Sequence, residues 1–163
     1  MTFEERERLM SQKVAALSKP EVEGILANAR QRKAKKLEAA CIARLAELGA
    51  PVGKPPLVRD WWRTLIASET AQREFTPGFR HSRIRQMYDR RVGSGLPEET
   101  AVKEIMIVCV ERKDPSDGFK KLVDLDLYEY TDEARMLRFP SEFTPELLAI
   151  ARERLARFGW EPK

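Results

Sequence analysis

Residues 97–112 read PEETAVKEIMIVCVER, and Ile105 to Val110 within them form the most apolar run in an otherwise charge-rich chain. Leu96-Pro97-Glu98-Glu99 has the chemistry of a helix start, since proline suits the first turn and the two carboxylates complement the helix dipole. At 100° per residue, Ala101, Val102, Ile105, Met106, Val108 and Cys109 fill one broad arc, and Ile107 and Val110 lie beyond it. A helix apolar over most of its girth belongs at the centre of a fold. The β-branched residues in the run would suit a strand. However, Glu98 to Glu104 leads into the run without a turn signal, which decides for helix and for a mainly α protein.

Working outward, the chain is 163 residues long, a length that suits one domain with an appended arm. Cys41 and Cys109 are isolated and lie among apolar residues, without the paired spacing of a zinc site or a disulfide framework. They read as reduced core residues. No stretch approaches the ~18 apolar residues of a membrane-spanning helix. The acidic, polar start MTFEERERLM is unlike a signal or transit peptide, so the expected location is cytoplasmic. The net charge of +4 is unevenly spread. Residues 1–50 hold ten Lys/Arg against seven Asp/Glu, residues 51–93 nine against four, and residues 94–163 eleven against fifteen. A basic front and an acidic back suggest a polyanionic partner, or two halves that attract each other.

Phe3, Met10, Val14 and Leu17 share a stripe and predict a short amphipathic helix. Ser18-Lys19-Pro20-Glu21 then restarts a helix with a cap, an early proline and a capping-box acid. No breaker follows until Gly49-Ala50-Pro51, which predicts one long helix over 18–48, a rod of roughly 45 Å. Its ends are apolar on one side. Its middle holds Arg30, Arg32, Lys33, Lys35 and Lys36, cations at every angle that must meet water or an acidic partner. Three prolines and a glycine within 51–56 set a stiff connection. The expected organisation is a helical arm over 1–50, a linker over 51–57 and a helical domain over 58–163.

In that domain Val58, Trp61, Trp62, Leu65 and Ile66 form a helical stripe, and core packing accounts for the tryptophans better than base stacking. On residues 80–92, Ile84, Met87, Tyr88 and Val92 share an apolar arc. Arg83, Gln86 and Arg90 occupy the exposed flank, with Arg80 nearby and Arg85 on the other side. Gly93-Ser94-Gly95 joins this helix to the apolar one, the outline of a helix-turn-helix. A DNA-reading pair would carry its polar contacts on the second helix, and here the second is the greasiest. Residues 119–130 satisfy both a helical arc and a strand alternation; with no obvious partner strand the helix is preferred, so the expected fold is an irregular helical bundle, with a short β element near 122–130 as the alternative. Thr144-Pro145-Glu146 starts the last helix.

No nucleotide-binding glycine loop, HExxH or EF-hand spacing is present, and no cofactor is called for. His81, the one histidine, reads as an incidental surface residue. Asp124 and Asp126 would share a metal only on a strand. The leading expectation is a non-enzymatic protein that binds nucleic acid through phosphates, using Arg30, Arg32, Lys33, Lys35, Lys36, Arg80, Arg83, Arg85, Gln86 and Arg90. The competing expectations are a helical adaptor for an acidic protein or a second copy of itself, paired through the long helix, and then a metal-dependent nuclease. Internal neutralisation of the arginines by Asp124, Asp126, Asp132 and Glu133 would remove the phosphate site.

Overall fold

Capping chemistry sets the helix starts in a computed structural model that describes residues 1–160. Thr2, Ser116, Thr131 and Thr144 each accept a backbone N–H from the first turn they precede. The helices are α1 (Phe3–Val14), α2 (Lys19–Gln31), α3 (Lys35–Gly49), α4 (Pro56–Gln72), α5 (Ser82–Gly93), α6 (Glu98–Val110), α7 (Asp117–Asp124), α8 (Asp132–Arg138) and α9 (Pro145–Arg157). Single 3-10 turns lie at Tyr128–Tyr130 and Pro140–Glu142, and no strand occurs among the described residues. No described helix is long and apolar enough to cross a membrane.

The apolar run of α6 does enter the core, through Ala101, Val102, Ile105, Met106 and Val110. The buried arc is rotated from the expected one. Val110 is fully buried and Val108 is 41% exposed, so the face sensitive to an inserted charge is Val102–Ile105–Met106. α4 spans more of the interior than α6. Its Leu57, Val58, Trp61 and Leu65 pack with α6 and α9, and its Ala67 and Ala71 join α3 and Leu122 in a second cluster. Arg135 of α8, wholly buried, donates to the Asp60 carboxylate and carbonyl and to Asp132, fastening α8 across α4.

The long helix expected over 18–48 is two helices. α2 stops at Gln31 and α3 starts at Lys35, with Lys33 at φ 56° between them. The Ala34 N–H donates to the Ala29 carbonyl and the Lys33 N–H to the Arg30 carbonyl, the bond pattern of a Schellman turn. Ala29 and Ala34, both buried, supply its apolar contact. Folding back lets α2 and α3 pack on each other and sends Arg32, Lys33, Lys35 and Lys36 outward, which a straight rod could not do. α1 lies on α3 as well. Its Glu7 carboxylate accepts the Lys36 and Leu37 N–H groups and so caps α3 from another helix.

Residues 122–130 resolve in the same way. α7 ends in a second Schellman turn, with Asp126 at φ 59° and the Leu127 N–H donating to the Leu122 carbonyl. The turn buries Leu122, Leu125, Leu127 and Tyr130 together, so the alternation that suggested a strand belongs to a helix end.

Candidate nucleic-acid interface

α5 is held from behind by aromatic and ionic contacts. Tyr88 stacks on Trp61 at 5.3 Å and meets Trp62 edge-on at 5.1 Å. Ile84, Met87 and Val92 pack against the same cluster. Arg85 donates twice to Glu69 of α4, at 2.8 and 2.6 Å, and its guanidinium lies 5.4 Å over the Trp62 ring. The His81 N–H also donates to Glu69, at 2.8 Å. Burial alone would raise the Glu69 carboxyl, but the Arg85 and His81 hydrogen bonds and charges outweigh it and hold the group below its ordinary range. Arg91 donates to Glu104 and ties α5 to α6.

Two expectations change here. Arg85 is committed to Glu69 inside the fold and does not belong to the outward set. His81 is not incidental: its ring is half-buried, its Nε2 lies 2.8 Å from the Ser68 hydroxyl, and burial keeps its pKa below 6.5. Glu69 was missed as well, although it left a trace. It follows Trp62 and Leu65 at helical spacing, and an acid on an apolar face implies an internal cation.

On the other flank of α5, Arg83, Gln86 and Arg90 are exposed, and their side chains have no ion pair or hydrogen bond among the described residues. Arg83 and Arg90 stand about 10 Å apart along the axis. Arg80 is exposed in the preceding loop. The carboxylates that would have neutralised this flank lie elsewhere: Asp124 holds Lys35, Asp132 holds Arg135 and Glu133 holds Arg154.

The cluster at 30–36 is divided. Arg30 is half-buried and donates to Glu38 and to the Thr70 carbonyl at 2.6 Å. Lys35 meets Asp124 at 3.2 Å with both side chains more than half exposed, a pair of little energetic weight. Arg32, Lys33 and Lys36 are exposed and their side chains have no partner among the described residues. Both clusters reach the same end of α4. Arg30 grips the Thr70 carbonyl, and Arg73 donates to the Phe79 carbonyl beside Arg80. Cations there also complement the helix C-terminus.

Behind α5 a cavity of about 110 Å³ is lined by Thr64, Ser68, His81, Arg112, Glu133 and Arg154, among others. Its deepest charges, Arg154 and Glu133, are paired with each other at 2.9 Å. No group of three His, Cys, Asp or Glu side chains that could hold a metal occurs among the described residues. Burial raises the thiols of Cys41 to about 11 and Cys109 to about 12, so both are poor nucleophiles. No protein-family model, curated protein or solved structure matches this chain.

Proposed function

We propose that the protein binds nucleic acid through backbone phosphates, with the outer flank of α5 as the principal contact. The observation that carries this reading is the division of labour on α5. Arg85 is spent on the buried Glu69 and Arg91 on Glu104 at the surface of α6, and Arg83 and Arg90 stand outward on a helix fixed from behind. A guanidinium presents forked donors suited to a phosphate, and two of them two turns apart can grip two phosphates. Gln86 between them adds a neutral donor. Arg80, Arg32, Lys33 and Lys36 add outward positive charge on segments that meet the end of α4. Such contacts favour salt-sensitive binding with little base preference.

The test is affinity for nonspecific duplex DNA as a function of salt, for the wild type and for Arg83→Glu/Arg90→Glu. Loss of two phosphate contacts flattens the log–log slope by about 1.8. An unchanged slope with intact circular dichroism removes α5 from the interface, and no binding at low salt removes the function.

A further inference from the structure

A second surface lies at the other end of the chain. α1 and α2 both pack on α3 but hardly on each other, leaving a groove of about 650 Å³ floored by the start of α3. α1 buries only Val14 and leaves Phe3 56% and Met10 38% exposed. Phe3, Arg6, Met10 and Lys13 recur at helical spacing along the α1 wall, and Ile25, Leu37 and Arg32 line the rest. Arg6, Lys13 and Arg32 have no ion pair among the described residues. The one acid in the lining, Glu7, is turned onto the Lys36 and Leu37 N–H groups. The groove therefore has an apolar floor, an adaptable methionine on its α1 wall, and cations on both sides.

We infer that this groove docks an amphipathic helix from a protein partner, with an apolar stripe flanked on both sides by carboxylates. Three helices in which two neighbours stand apart on the third lack the fourth member of a bundle. A helix about 10 Å wide is the element that fills such a gap. Charge selects the partner, because carboxylates beside the stripe would meet Arg6 and Lys13 on one rim and Arg32 on the other. A second copy of this chain is the competing occupant, and it would show itself as self-association in solution. This site shares Arg32 with the positive surface proposed for nucleic acid but does not depend on the α5 flank.

The test uses two fluorescein-labelled model helices, each with leucine at i, i+3, i+4 and i+7. One carries glutamate and the other lysine at the remaining positions. The full chain should bind the glutamate helix about tenfold or more tightly than the lysine helix. Arg6→Glu/Lys13→Glu should reverse that order, which nonspecific apolar adhesion would not do. Met10→Asp, at an exposed position that leaves the helix content unchanged by circular dichroism, should abolish binding of both. Equal binding of the two helices, no binding of either, or a preference indifferent to the charge reversal overturns the proposal. Displacement of the glutamate helix by duplex DNA that persists in Arg83→Glu/Arg90→Glu would assign the groove to nucleic acid. A dimer lost in Met10→Asp would assign it to self-association. Either result overturns the proposal.

Discussion

The two basic segments, Arg30–Lys36 and Arg80–Arg91, each lie where a helix ends in a Schellman turn, yet they distribute charge by different means. α5 sorts its cations by helical face, with Arg85 inward on Glu69 and Arg83 and Arg90 outward, and closes with Gly95 at φ 97°. In the other segment the chain reversal itself does the sorting. Arg30 turns in to Glu38 and Thr70, and a lysine occupies the left-handed position. One surface is therefore rigid by packing, and the other hangs on a strained turn. Fixed geometry is what phosphate recognition needs, so α5 is the better candidate for principal contact.

The contrast breaks most sharply at Glu69. Glu69→Ala leaves Arg85 and the His81 N–H without their acceptor, and breaking such a buried pair costs about 3–5 kcal/mol. Arg85 is 24% exposed and partly rescued by water, so about 3 kcal/mol is expected from urea denaturation. DNA affinity should fall with it, although Arg83 and Arg90 are untouched. The equivalent change in the other segment, Arg30→Ala, should cost less, about 1–3 kcal/mol, because Glu38 keeps Lys121 at 3.4 Å. Equal losses in the two variants would erase the distinction.

The turns give smaller effects of opposite sign. Gly95→Ala forces a Cβ into a left-handed residue and should destabilise by about 1–2 kcal/mol, although no atom stands within 4 Å of it. Lys33→Gly relieves that strain and should stabilise by roughly 0.5–1 kcal/mol, read as a raised urea midpoint. A destabilised Lys33→Gly would mean that the lysine side chain holds the turn.

Acid should produce the gentlest effect on the α5 side. Burial, then the charges of Arg85 and Arg112 against the opposing pull of Glu69, leave the folded His81 below its ordinary 6.5. The unfolded chain then binds more protons, and stability falls as the pH drops through 6.5. Further down, Glu69 contributes stability that is fully present above its ordinary 4.5 and is lost as the pH falls through its lower folded value. His81→Gln should remove the upper limb of this profile and leave the lower one in place. An unaltered profile would locate the titration elsewhere.

The helix ends also explain how much of the architecture was legible in the sequence. The mainly α fold and the apolar α6 could be read, and so could the stop at Gly95, because glycine marks a left-handed residue. The stops at Lys33 and Asp126 carry no such mark. These are the only non-glycine residues with positive φ among those described: Lys33 breaks the helix expected to run unbroken over 18–48, and Asp126 ends the helix in the stretch that also satisfied a strand alternation. Of the interface, Arg83, Gln86 and Arg90 followed from helical periodicity alone. That Arg85 and His81 face inward did not, because Glu69 lies 16 and 12 residues away, and only the folded chain brings them together.

Glu7 has a further consequence. α1 is held by one buried valine and by a carboxylate seated on the first amides of α3, so it is among the least stable units of the molecule. When α1 lifts, the Lys36 and Leu37 amides lose their acceptor and meet solvent. Their exchange with deuterated water thus becomes a clock for that opening, separate from global unfolding. Anything that seats against α1 should slow it, and replacing Glu7 with glutamine should quicken it while leaving exchange in α4 and α6 unmoved.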